Sequence, residues 1–321
     1  MKIRTHLGNT IDGVDSLKAR YDKNVKEILA DIQVLARIVK HTVVEVENLS
    51  IQEIMRCIDR ESIRIGTAPI APGLSSLNKV ESIQTEDSIP NESYVTYDIR
   101  FMLVIAAAAL EIIINVEAQK TSDFKKLGYH LESRIVFYLA RLISSQKGLN
   151  FEKSEYDNIK KVYSIWICMD ADDEGDSVSR IYLKSDTVFG KQRDFPKLDK
   201  MCGIVVRIRD NDDVVESQNK LIAMLEDVLS SEDSETKKRK LTEKYEMQVT
   251  TELEGRFNSM YNLSDVVEDR GIKKGIERGM EQGIKGLVDI LKDMGTPDEI
   301  IVEKIMEKFS LSVEEAEKYV K

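Results

Sequence analysis

At 321 residues, with 32% charged side chains, 42% hydrophobic residues and a formal net charge of −10, the chain has room for one substantial domain plus an appendage. A pI near 5.1 argues against a general affinity for nucleic acid, which clustered lysine and arginine drive, unless basic groups gather around one cleft. Cys57, Cys168 and Cys202 are scattered and form no CxxC or Cys/His pattern, so they read as reduced thiols. The start MKIRTHLGNTIDGVD has no apolar segment of a signal peptide. The longest apolar run, Phe101–Leu110, falls well short of the roughly 20 residues that span a bilayer. The expectation is a cytoplasmic protein that contacts no membrane.

Residues 15–60 read as helical. Val25, Ile28, Leu29, Ile32, Leu35, Ala36, Ile38 and Val39 recur at steps of three and four, the period of an amphipathic helix. A second helix begins at Ser50, where Glu53 completes a capping box, and its apolar face carries Ile51, Ile54, Met55 and Ile58. Most of the prolines fall in 66–91, which reads as a long irregular loop.

Two strands follow within 97–120. Alternation puts Asn115, Glu117 and Gln119 on one face of the second strand, and Ile112, Ile114, Val116 and Ala118 on the other. Polar groups on so apolar a strand require a reason, because a buried carboxylate is costly unless paired or metal-bound. The connection Ala106–Ala109 lacks the Gly, Asn or Asp of a tight turn, which points to an irregular or locally helical link.

A helix over 125–147 closes at Gly148. Ile135, Leu139, Leu142 and Ile143 form its core stripe, while Arg134, Tyr138, Arg141 and Ser145 form a polar one. Strands are expected at 162–169, 179–183 and 204–208, then a helix over 214–229. The order gives an α/β fold with a mixed sheet over 1–230. The acidic run 170–176 starts like a calcium loop but has Ile181 at the twelfth position, so it reads as an acidic turn. His6, His41 and His130 form no catalytic pattern. No phosphate-binding glycine loop is present, so no nucleotide cofactor is expected.

Residues 231–262 read as an exposed, charged helical connector, in which Lys237–Lys240 is a solvated face. In 263–321, Gly271, Gly275, Gly279 and Gly283 recur every four residues. Each mid-helix glycine costs about 1 kcal/mol relative to alanine, so a helix here needs a close neighbour, and a frayed tail is the other reading. Two short helices end the chain, one capped by Thr296 with Pro297, the other by Ser312 with Glu315.

The chemistry this pattern suggests is phosphodiester hydrolysis. Mg²⁺ takes one or two carboxylates and keeps several waters, and Asp98 and Glu117 on neighbouring strands can supply them, with the Ala118 carbonyl as a third ligand. Gln119 would orient the attacking water. Solvated strand-end carboxylates are the competing reading.

The blocks TYDIRF, IIINVEAQK, GYHLESRIVFYLARLISSQKG and YDNIKKVYSIWICMD, in this order, resemble the bacterial PD-(D/E)XK nuclease family transposases, or recombination-promoting nucleases. YDKNVKEILADIQVLARIVKHTV and the tail GIKKGIERGMEQGIKG resemble the same family. The resemblance implies a restriction-endonuclease-like core with a mixed central sheet flanked by helices. It also implies a Mg²⁺-dependent (or other divalent-cation-dependent) DNA endonuclease acting in recombination or transposition. By it, Asp98 and Glu117 hold the metal, Glu117 and Gln119 form an E-x-Q variant of the signature, and Arg134, Tyr138 and Gln146 match polar positions of the next helix. Arg134, Tyr138, Arg141 and Gln146 are then the expected DNA contacts. Tyr97 replaces the proline of the signature's name and Gln119 its lysine. Lys120 should face the opposite side, and Lys26 reads as a surface lysine unless it approaches the site. Two alternatives stand: a weakly active or inactive nuclease fold that assembles as a homo-oligomer through the 263–290 helix, and RNA as substrate.

Overall fold

The computed structural model describes residues 19–66, 69–70, 95–169, 175–209, 216–309 and 311–320. The expected loop over 66–91 and the acidic turn therefore lie mostly outside the described residues. Two compact units emerge, 19–261 and 262–321.

The larger unit begins with helix α1 (19–29), separated from α2 (Ile32–Thr42) by a break at Ala30–Asp31. Asp31 accepts a hydrogen bond from the Gln33 amide and so starts a new helix where the sequence periodicity suggests only one. Helix α3 (Ile51–Cys57) opens with the expected capping box, Ser50 bonding Glu53 in both directions. It stops short of residue 60. Ile58 starts a strand, β1 (Ile58–Ile65), whose register with its neighbour slips between Asp59 and Arg64. That irregularity erases the alternation by which a strand is recognised.

A six-stranded mixed sheet forms the centre, ordered β1, β4 (Ile99–Ile105), β5 (Leu110–Gln119), β6 (Lys161–Cys168), β8 (Met201–Arg207) and β7 (Ser177–Tyr182). A separate pair joins β2 (Pro69–Ile70) to β3 (Val95–Thr96). Strands β4 and β5 are an antiparallel hairpin with Ile99 opposite Val116. Its link is locally helical over Ala106–Ala108 and closes through Ala109 at φ 46°, as the lack of turn residues implies. Strand β6 runs parallel to β5, and the crossover passes through α4 (Phe124–Leu127) and α5 (Leu131–Ser144). Gly128 in the left-handed region (φ 77°) splits the single helix expected over 125–147.

The two sheet faces carry different cores. Ile99, Phe101, Leu103, Ile112, Ile114, Val116, Ile165 and Ile204 pack with α1, α2 and helix α6 (Lys220–Leu229). Ile113, Val162, Trp166 and Val205 pack against Ile135, Tyr138, Leu139 and Leu142 of α5. A Cβ on Gly203 would sit 2.7 Å from Ile135 Cγ2, so this glycine lets α5 approach the sheet.

Helices α7 (Ser234–Tyr245) and α8 (Thr251–Asp293) correct the expected domain boundary at 230. Leu241, Met247, Leu253, Phe257 and Met260 belong to the main core, so 231–261 is part of this unit and not a connector leading away. The basic run is a solvated face only in part, at Lys238 and Arg239. Lys237 is fully buried, Lys238 pairs with Glu254, and Lys240 pairs with Asp227 and Glu232.

In the smaller unit α8 continues through the glycine repeat, and α9 (Asp298–Phe309) and α10 (Val313–Val320) follow. Ile284, Val288, Ile301, Ile305, Ala316 and Val320 form its core. The Ser312–Glu315 box is present. A Cβ on Gly283 would sit 3.6 Å from the Phe309 ring, whereas one at Gly279 or Gly286 would meet nothing within 4 Å. No helix among the described residues is long and apolar enough to cross a membrane.

Candidate active site

The β4–β5 register brings Asp98 and Glu117 together at one end of the sheet. The Asp98 amide donates to Glu117 Oε1 (3.1 Å), and the Ala118 amide donates to Asp98 Oδ2 (2.9 Å). These reciprocal bonds tie the two strand ends through the groups that carry the charge. The Gln119 carbonyl accepts from the Met169 amide on the β6 side, so alternation turns the Ala118 backbone toward Asp98.

Glu117 is only 3% exposed. Burial pushes its carboxyl well above the usual carboxylate range, and the Asp98 charge adds to the rise, while the Asp98 amide and Asn115 oppose it. Asn115 is fully buried and also reaches Ser164 Oγ at 3.4 Å. A site that strains to hold two carboxylates at once favours any added cation.

Lys26 is the residue that the sequence reading placed at the surface. Its Nζ lies 2.6 Å from Asp98 Oδ1, with the side chain 28% exposed. Helix α1 packs on the opposite sheet face, and Lys26 reaches Asp98 from there. The helix is held by Asn24 donating to Ser259 Oγ (3.0 Å) and by Arg256 donating to the Glu27 carbonyl (2.5 Å). A cavity of about 250 Å³ is lined by Lys26, Asp98, Glu117, Gln119, Lys120 and Arg134. Lys120 therefore does not turn away, because β5 ends at Gln119 and alternation ends with it.

Arg134 forms one wall. It donates to the hydroxyls of Tyr129 (2.8 Å) and Tyr138 (2.9 Å) and to Gln119 Oε1 (3.4 Å), and it lies 5.1 Å from the Tyr138 and Trp166 ring centres. The rest of the expected DNA-contacting stripe is turned inward. Tyr138 and Arg141 are each 7% exposed, and Tyr138 stacks edge-on against Tyr97 and Trp166. Gln146 is 1% exposed and brackets the Lys160 backbone, accepting from its amide (2.8 Å) and donating to its carbonyl (3.1 Å). Arg141 and Gln146 thus serve packing, and of the four expected contacts Arg134 is the one lining the cavity. Helix α5 presents Val136 and Phe137 to solvent instead.

Among the described residues no group of three or more His, Cys, Asp or Glu side chains is placed to hold a metal. The Asp98–Glu117 pair still suits a hard cation, since Mg²⁺ takes one or two carboxylates and retains water. The all-oxygen donors and the mutual repulsion of the two acids both fit that group. Comparison with known proteins finds no match to a family model, to a curated protein or to a solved structure.

Proposed function

We propose that this protein is a metal-dependent DNA endonuclease with a restriction-endonuclease-like core, acting in DNA recombination or transposition. The observation that carries the reading is the Asp98–Glu117 pair, joined across a hairpin end in a cavity that also holds Gln119, Lys26 and Arg134. A Mg²⁺ ion bound there would polarise the phosphoryl oxygen and make water a better nucleophile. Asp98 and Glu117 would hold it, with the Ala118 carbonyl beside them.

Within the chain, the Ala118 amide fixes the Asp98 carboxylate and the Asp98 amide fixes Glu117, so both acids are preorganised before anything binds. Gln119 has an amide that can orient a water. Arg134, locked by two tyrosine hydroxyls and two rings, offers a guanidinium whose position is set in advance.

The test is nicking of supercoiled plasmid. Cleavage should require Mg²⁺ or Mn²⁺, stop with chelator, and be lost in Asp98→Ala and Glu117→Ala. Equal cleavage by wild type and both variants sinks the reading, and a single-stranded RNA substrate run in parallel decides between the nucleic acids. One observation favours assembly as a second role: Gly279 and Gly286 leave open space along α8. Light scattering of the full chain against a 1–262 truncation should then show a smaller oligomer for the truncation.

A further inference from the structure

We propose that Lys26 is the catalytic cation of this site, delivered by α1 in place of a lysine on the strand. In the metal-free protein its ammonium neutralises Asp98. On metal loading it leaves Asp98 and contacts a non-bridging oxygen of the bound phosphodiester. The proposal rests on the nuclease reading.

The argument begins with the Asp98 oxygens. Oδ2 is committed to the Ala118 amide, so Oδ1 is the oxygen left to meet a metal, and Oδ1 is the atom that Lys26 holds at 2.6 Å. A divalent ion and the ammonium therefore compete for one oxygen. Two cations at that separation repel, and the ammonium has the weaker claim on the carboxylate pair. The other polar groups in the cavity do not offer the same movable charge. Gln119 is neutral and turned to Arg134, while Arg134 is pinned by hydroxyls and rings. Lys26 has a long, flexible stem on a helix whose backbone is anchored at Glu27, so the head can swing without moving the helix. Lys120 lines the same cavity, so the control is Lys23, which lies on α1 outside the cavity with its side chain 73% exposed.

Lys26 keeps its protons throughout the reaction. Phosphorus gains a bond to a water oxygen and loses one to the leaving alkoxide. The water's proton passes to solvent, and the alkoxide takes one from it. The lysine's part is to stabilise charge that grows on the phosphoryl oxygens.

The experiment uses the full-length protein and the variants Lys26→Met, Lys26→Arg and Lys23→Met. It reads Mn²⁺ affinity by calorimetry without DNA, and kcat and KM on a duplex substrate. Losing a partly exposed ion pair, Lys26→Met should bind Mn²⁺ about three- to tenfold tighter. Its kcat should fall about 10²-fold with KM within about threefold. Lys26→Arg should keep kcat within about tenfold of wild type, and Lys23→Met should match wild type in both readouts. An unchanged kcat in Lys26→Met overturns the proposal, as does a Mn²⁺ affinity that stays the same or weakens. Wild-type protein that cleaves nothing with any divalent ion overturns the nuclease reading and this proposal together, a pattern distinct from wild-type cleavage matched by Lys26→Met.

Discussion

At each end of the central strands a lysine meets carboxylates, and the two groups are assembled in different ways. At the start of β6, Lys161 sits between Glu45 (2.7 Å) and Asp199, and Tyr163 donates to the second Glu45 oxygen at 2.8 Å. Burial alone would lower the Lys161 ammonium, but its bonds to Asp199 and Glu45 carry it above its ordinary value. At the other end Lys26 bonds Asp98 alone, and Glu117 keeps a backbone amide, an Asn115 contact and a repelling neighbour. In the first cluster each acid meets the lysine directly; in the second, Glu117 has no ion pair among the described residues. Cavity size favours the other end, since the hollow beside Lys161 measures about 690 Å³ and the one beside Glu117 about 250 Å³. What marks a candidate site is charge that the protein itself leaves uncompensated.

The strongest way to break this comparison is Glu117→Gln. It should reduce cleavage on the order of 10²–10³-fold, while the metal-free protein melts no lower than wild type because a like-charge repulsion is gone. A lower melting temperature with cleavage intact would mean that Glu117 is there for stability.

A third buried charge sharpens the contrast. Lys237 is fully buried with the Val228 carbonyl (3.3 Å) and the Phe257 ring (5.2 Å) against its ammonium. Burial lowers its pKa from 10.5 to about 8. The sign follows directly. Between about 8 and 10.5 the unfolded chain keeps a proton that the folded chain has released, so stability rises with pH across that window. Below it the charged form carries a constant penalty of roughly 3 kcal/mol. Lys237→Met should therefore stabilise the protein at pH 7 by an amount of that order, and the gain should shrink as pH climbs toward 10.5. Denaturant melts at three pH values read it; a pH-independent difference would remove the lysine as the cause.

The smallest of these effects is expected at the Lys161 end. Lys161→Met leaves Glu45 without its cation, but Asp199 is 66% exposed and rehydrates. The loss should be about 2 kcal/mol, below the usual cost of stranding a fully buried ion. Cleavage should not change. A drop in kcat at constant stability would erase the distinction between the two ends.

What the sequence made legible was local. The Ser50 and Ser312 boxes, the alternation that groups Asn115, Glu117 and Gln119, and the irregular Ala link all depend on neighbours a few residues apart. Strand β1 escaped because its bulge breaks the period-two pattern. Lys26 escaped because an amphipathic helix gives no sign of what its polar face meets. The spacing of Arg141 and Gln146 gave no sign that both would be buried, Gln146 on the Lys160 backbone. Lys237 misled for the same reason: a charged run implies solvent only until another helix covers it.

The Ala106–Ala109 link has a meaning for heredity. Asp98 and Glu117 meet because each lies a fixed number of steps from that link, and side chains swap faces at every step. A shift of one residue carried into β5 would move Glu117 to the other sheet face and part it from Asp98, although no residue of the site had changed. An added or deleted alanine therefore spares the site only if the exposed link takes it up, with β5 held in place by its pairing to β6.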